Sequence, residues 1–522
     1  MTYYKNSLFY IFLFFFVLTG IYFSINVGIT HDETHDYYVW ISNKNLVLNF
    51  FFKENLDTNY LSEGGKFYGI GFHYISSIIE FFSVNLPQLV EYEYKTRIIL
   101  SKHITVFLLF VTSGLIFKKI IYIILNNDYY ANLSTVFYLL YPYLLGHSFF
   151  NVKDIPFLTF WLVCTYFIIK ITKNYLYKET ILKRHIIFLS FFTSYLLSIR
   201  ISGILIFIQY LIFISVICNV KNISLISILK KYYKELIFSV LSIFIFYFIL
   251  QPSFWANPIL IFDAIKYMSQ HIQTVCTITL GECMKAQNLP ASYLPIWFFF
   301  KLPIIILLGL LFFFVVDKKI EKNSLRFAIL ASLSFSVLAI ICLLILFNVN
   351  LYNEIRQVMF LVPLIFIISL SFIYFFSKNF FNISIFFFII FFIFQNISIY
   401  PYNYIWINNF SHIIKVNNVF ELDYWGASTR KLADVIIDNN LIDEACLISN
   451  RNDAFDLLIN QKKCLISFKN LYKKNKRPFY VALLEKGVNK GTPNNCNLIF
   501  KEETKINFSN EKLVLAKLYR CD

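Results

Sequence analysis

Apolar windows of roughly 20 residues, the length a helix needs to cross a bilayer, recur through the chain as far as residue 400. They fall near 8–27, 98–116, 131–148, 155–170, 186–218, 236–251, 295–316, 327–347, 356–376 and 380–400. In hydrocarbon a backbone must satisfy its own N–H and C=O groups, so such windows fold as α-helices. The window at 186–218 is long enough for two short passes if it divides near Arg200 and Gly203. With 58% hydrophobic residues and a mean hydropathy of +0.62, the chain has far more apolar surface than a soluble core needs. The expected fold is a polytopic α-helical membrane protein of about eleven spans.

The first window follows only Lys5, is too long for a signal-peptide core and has no small-residue cleavage pattern behind it. It reads as a retained anchor with a cytoplasmic N-terminus. The net charge of +16 would fit a nucleic-acid binder, but its distribution follows the membrane. Lys118-Lys119, Lys170 to Arg184, Lys221 to Lys234, Lys318 to Arg326 and Lys378 all fall in loops that this topology makes cytoplasmic, as the positive-inside rule requires. Membrane lipids, not nucleic acid, are therefore the expected surroundings. The 62 phenylalanines look like A+T-rich coding bias, and runs such as Phe386-Phe387-Phe388 read as lipid-facing filler.

Two external segments are too long to be linkers. Residues 28–96 hold an amphipathic piece, Tyr37 to Phe52, and a short apolar helix ending near Phe82, expected to lie on or dip into the outer leaflet as a lid. Residues 252–294 are bounded by prolines at both ends. Beyond Tyr400 hydropathy collapses, so the chain divides into a multi-span domain, 1–400, and a small external α/β domain, 401–522. That domain has a helical stretch from Ala427 to Asn440 and strand-like runs at Ala445 to Ser449, Phe479 to Leu484 and Leu513 to Leu518. Cys164, Cys218 and Cys342 lie in spans as small core residues. Cys276, Cys283, Cys446, Cys464, Cys496 and Cys521 would be external, where pairing is allowed; Cys276 with Cys283 closes one loop, and the four tail cysteines permit three pairings.

Directly behind the first span comes Thr30-His31-Asp32-Glu33-Thr34-His35-Asp36. Ionisable groups at the edge of hydrocarbon are costly unless solvated or used, which makes this cluster the leading site candidate. The bland alternative is that Asp32 and Glu33 solvate the end of the span or cap the next helix. His31, His35 and Asp36 could instead ligate a divalent cation, although their spacing matches no specific zinc pattern.

An anchor followed by an external Asp-Glu, then Gly146-His147-Ser148-Phe149-Phe150-Asn151-Val152-Lys153-Asp154-Ile155-Pro156-Phe157, Tyr352-Asn353-Glu354-Ile355-Arg356-Gln357 and Phe420-Glu421-Leu422-Asp423-Tyr424-Trp425-Gly426, resembles the bacterial branch of the protein O-mannosyltransferase and aminoarabinose transferase superfamily. The resemblance implies a C-type glycosyltransferase fold in the bacterial inner membrane, a periplasmic C-terminal domain, a polyprenyl-phosphate-linked sugar donor and a protein, lipid or glycan acceptor. Asp32 matches the family's catalytic carboxylate. It would be the general base of an inverting transfer, with Glu33 orienting the acceptor or the lid.

The leaving phosphate calls for cations. Lys153, Arg356 and Arg200 are the candidates, each weighed against a snorkelling anchor or, for Arg200, a turn between two short helices. Arg97, Lys102 and His103 rank below them. His35 is a candidate acceptor or sugar contact, and Trp425 either stacks on a sugar or packs the tail onto the membrane part. The competing functional class is a multi-span transporter or flippase of lipid-linked sugars, disfavoured by the asymmetric loops, the soluble tail and the lack of a repeat.

Overall fold

The structure is a computed structural model that describes residues 2–30, 32–62, 64–270, 275–316, 319–441, 446–459, 465–467, 479–484, 488, 493 and 495–521. The chain is a polytopic α-helical membrane protein. Among the described residues, eight helices are long and apolar enough to cross a bilayer: α1 (Thr2–Ile25, from Ser7), α4 (Tyr94–Leu125), α7 (Asp154–Lys178), α9 (Ile206–Lys221, with the turn from Ile201), α11 (Tyr233–Leu250), α16 (Leu325–Leu346), α17 (Val362–Phe376, with the turn from Arg356) and α18 (Lys378–Ile399). A ninth would be α13 (Tyr293–Lys301) with the helical run from α14 (Ile304–Leu311) to Val316, bent by 114° at Leu302-Pro303.

The other expected spans are helical but broken or short. The window at 131–148 divides at Tyr141-Pro142 into α5 (Asp128–Leu140) and α6 (Pro142–Ser148), and α8 (Lys183–Ile199) has only 17 residues. The break expected near Arg200 is present: Arg200 is extended, at φ −149°, and a 3₁₀ turn over Ile201–Leu205 restarts the helix. Length alone therefore qualifies eight or nine of the eleven expected segments.

At about 1.5 Å per residue, α4 is roughly 48 Å long, well beyond a hydrocarbon core of about 30 Å. Its first turns project to meet the loops. There α2 (Glu33–Phe52) and α3 (Gly71–Ser83) pack over the bundle with α12 (Leu260–Gln270). Helix α3 buries Phe72, His73 and Ser76 and leaves Ile78, Phe81 and Phe82 exposed. The hairpin β1 (Cys276–Thr279) and β2 (Glu282–Lys285) carries the Cys276–Cys283 disulfide. It is tied to the tail by Gly281 N–H donating to Val419 O at 2.9 Å and Glu421 N–H to Ile278 O at 3.1 Å.

After α18 the chain turns back across this same end of the bundle, burying Tyr404, Trp406, Phe420 and Trp425. Helix α20 (Thr429–Asp438) lies within the stretch expected to be helical. The sheet beyond it runs in the order β4-β3-β5-β7-β6, with β3 (Cys446–Ser449) parallel to β4 (Leu465–Ser467) and β5 (Phe479–Leu484) and the rest antiparallel. Strands β4 and β6 (Cys496–Thr504) were not expected. Cys496 pairs with Cys521 on β7 (Leu513–Cys521), and Cys446 is disulfide-bonded too.

Candidate active site

The start of α2, the loop before α7, the α8–α9 break and the turn before α17 converge on one cavity of about 640 Å³. Asp32, His35, Lys153, Arg200, Arg356 and Trp425, residues separated by hundreds of positions, all line it.

Asp32 stands at the N-cap position of α2 but makes no capping hydrogen bond with its side chain. Its carboxylate, 28% exposed, faces Arg356, with Nη1 3.4 Å from Oδ2. The helix-cap explanation therefore fails for this residue. Arg356 is buried, its guanidinium lying 4.9 Å from the Tyr352 ring centroid and 4.4 Å from that of Trp425. The two aromatic faces hold the plane of the fork by cation–π attraction. Its Nη1 also lies 4.0 Å from Asp154 Oδ2, and its buried Nε has no hydrogen-bond partner among the described residues.

Arg200 reaches the same carboxylate, forming an ion pair with Asp154 Oδ1. The break between α8 and α9 thus serves both readings: it is a turn, and it delivers a guanidinium into the cavity. Lys153 pairs with Asp36 at 2.7 Å and sits 4.7 Å over the Tyr68 ring. Burial pushes the Asp36 carboxyl up to about 6, with Lys153 pulling it back. Burial also opposes the charge on Lys153, but Asp36 and Asp32 outweigh it and hold the ammonium above its ordinary range. A snorkelling lysine would have its head in water, and this one does not.

Glu33 is the expected site residue that faces away. It is buried, accepting from Thr30 N–H at 2.5 Å and Thr30 Oγ1 at 2.8 Å, with His103 Nε2 2.5 Å from its other oxygen. It fixes the turn that presents Asp32 and does not meet the cavity. His103 is used up there and on Ser24 O, Arg97 Nε donates to Tyr92 O at 2.8 Å, and Lys102 lies behind the cavity against His73. His35 pairs with the Tyr60 hydroxyl at 2.7 Å. Trp425 is 3% exposed with the guanidinium against its ring, so it packs the tail onto the bundle and is not an open sugar platform. His31 lies outside the described residues, and among those described no three His, Cys, Asp or Glu side chains are grouped to hold a metal ion.

Asp154, Tyr352, Tyr424 and the phenols Tyr60 and Tyr68 were not singled out in the sequence. Asp154 had a signal: it is the only acidic residue between Asp128 and Glu179 and follows a lysine at a helix start.

No protein-family profile and no curated protein matches the chain. Two solved structures are similar over nearly its whole length at 10% identity: ArnT from Cupriavidus metallidurans bound to undecaprenyl phosphate (TM-score 0.46, covering 99% of this chain and 97% of that one) and the same protein in the apo state (TM-score 0.48, 99% and 98%).

Proposed function

We propose that this protein is a membrane glycosyltransferase of the C fold type that moves a sugar from a polyprenyl phosphate to a protein, lipid or glycan acceptor on the outer face of the bacterial inner membrane. In this reading the N-terminus is cytoplasmic and the domain at 401–522 is periplasmic. The observation that carries it is the placement of one partly exposed carboxylate, Asp32, beside three buried or half-buried cations, Lys153, Arg200 and Arg356, on a single cavity.

Asp32 takes the proton of the acceptor hydroxyl as its oxygen bonds to the anomeric carbon. The bond from that carbon to the phosphate oxygen breaks, and its electron pair leaves with the polyprenyl phosphate. Attack from the side opposite the phosphate inverts the anomeric centre. The phosphate gains a negative charge in this step, so cations fixed in advance stabilise the transition state more than the ground state. Each cation is paired with a carboxylate, and the donor phosphate takes over from those carboxylates. When it draws Arg356 away from Asp32, the base loses a positive neighbour and becomes more basic.

The test is transfer from synthetic polyprenyl-phosphate sugars by protein in nanodiscs, wild type against Asp32→Asn. Donor consumed by wild type and hardly at all by an equally folded variant supports the reading. Equal turnover removes Asp32 from the role of base. Donor bound but never consumed by either favours a carrier of lipid-linked sugars.

A further inference from the structure

Beneath the cavity lies an ion pair that the transfer chemistry does not touch. Lys301, the last residue of α13, sits with its Nζ 2.7 Å from Glu354 Oε1, and the two side chains are 0% and 2% exposed. Burying such a pair gains little stability over an apolar one of equal size, so its use is to be sought in what it positions.

Glu354 belongs to the turn that carries Arg356. Asn353 and Glu354 are consecutive non-glycine residues in the left-handed region, at φ 55° and 66°, a conformation that persists only where the surroundings impose it. Here Asn353 N–H donates to Thr277 Oγ1 at 2.8 Å, the Tyr293 hydroxyl donates to Glu354 O at 3.3 Å, and Lys301 holds the side chain.

Beside this turn a directional chain of hydrogen bonds runs from Tyr424 to Asp154. Asn151 Oδ1 accepts the N–H groups of Lys153 and Asp154 at 3.2 and 2.9 Å, which fixes its Nδ2 as the donor to His147 Nδ1 at 3.0 Å and to Asp154 Oδ2 at 2.9 Å. His147 must then carry its proton on Nε2, which points at the Tyr424 oxygen 3.2 Å away. Tyr424 lies within electrostatic reach of Glu354. The other end of the chain is Asp154, the carboxylate shared by Arg200 and Arg356.

Resting on the transferase reading above, we infer that Lys301 and Glu354 are positioning residues for the phosphate clamp: Glu354, held by Lys301, fixes the left-handed turn that carries Arg356. Donor binding then requires Glu354 to be charged. The groups that face it are Lys301 and Tyr293 from α13, Tyr143 and Tyr141 around the start of α6, and Tyr424 from the tail. Burial pushes Glu354 up to about 7 against the pull of Lys301, so the requirement falls within reach of a pH profile. Asp36, at about 6, gives a separate lower step.

The experiment uses the full chain in nanodiscs and reads two quantities: affinity for polyprenyl phosphate alone, and the acid limb of kcat/KM with a sugar donor. The variants are the double substitution Lys301→Met with Glu354→Gln, which leaves no unpaired buried charge, and Tyr293→Phe, which lies off the cavity lining and removes the hydroxyl that donates to Glu354 O. The double variant is expected to weaken polyprenyl phosphate binding by at least roughly tenfold, the worth of one charge-assisted contact, and to lose the limb near 7. Tyr293→Phe loosens the turn without removing a charge, so polyprenyl phosphate binding weakens by roughly threefold or more while the acid limb stays in place. A folded double variant that binds as wild type and keeps its limb overturns the inference. If the double variant does not fold, Tyr293→Phe decides, and a folded Tyr293→Phe that binds polyprenyl phosphate as tightly as wild type overturns it. Wild type that binds no polyprenyl phosphate overturns the transferase reading itself, an outcome distinct from either.

Discussion

Arg356→Lys keeps the charge and removes the shape, which makes it the most demanding test of the clamp. The guanidinium lies between the rings of Tyr352 and Trp425, 4.9 and 4.4 Å from their centroids, and reaches Asp32 and Asp154 from one nitrogen. A lysine is a strongly hydrated point charge on a flexible stem and cannot lie flat between two rings while presenting two parallel donors. Loss of the sandwich costs about 1–2 kcal/mol for a desolvated cation–π pair. Loss of the second donor to phosphate costs about 1–2 kcal/mol more. The sum, about 2–4 kcal/mol, is a fall of roughly 30- to 900-fold in kcat/KM for the lipid-linked donor. The assay is initial-rate transfer in nanodiscs over a range of donor concentrations, with circular dichroism and thermal melting to show that the variant is folded. A folded Arg356→Lys within roughly threefold of wild type would refute the argument, because a point charge would then serve as well as an oriented fork.

Three further outcomes follow from the same geometry. Asp32→Asn should lower kcat by roughly 10²- to 10⁴-fold, the span of a lost general base, without weakening polyprenyl phosphate binding in a titration, since Arg356 is released from its partner. Glu33→Gln should act on stability instead: its buried bonds to Thr30 and His103 predict a loss of about 1.5–3 kcal/mol, seen as a lower melting temperature with kcat per folded molecule near wild type. Asp36 titrates at about 6 in the folded protein against 3.8 ordinarily. A raised carboxylate binds its proton more tightly when folded, so its contribution to stability is greatest at low pH and is lost as pH rises through about 4 to 6. The melting temperature of wild type relative to Asp36→Asn should therefore fall across that interval and level off above it.

What could be read in advance, and what could not, divides along the range of the interactions. Span positions follow from local hydropathy, and the chain break at Arg200 from an arginine that no continuous apolar helix accommodates. The cavity's cations were nominated for the same reason, as charges where charge is expensive. Choosing between a phosphate ligand and a snorkelling anchor needs the position of the counter-charge, and that is a tertiary fact. Lys153 is matched by Asp36 from α2, Arg200 by Asp154 from α7, and Arg356 by Asp32 from behind α1. Every pair joins two elements distant in sequence, so no local window contains it. Glu33 and Trp425 were left open for the complementary reason: sequence does not say which of two neighbouring side chains turns inward, and packing turns Glu33 to His103 and lays Trp425 against Arg356, the tail-packing alternative of the two read for it. The cross-element pairing has a consequence for stability as well as recognition. Asp32, Asp36 and Asp154 pair with the cations, and on the proposed reading a donor phosphate displaces part of that network to bind. On that reading the residues that hold the loops to the bundle are also the residues that hold the substrate. A substitution at Lys153, Arg200 or Arg356 should accordingly lower both donor affinity and melting temperature, whereas one at Asp32, which is partly exposed and loosely paired, should separate the two.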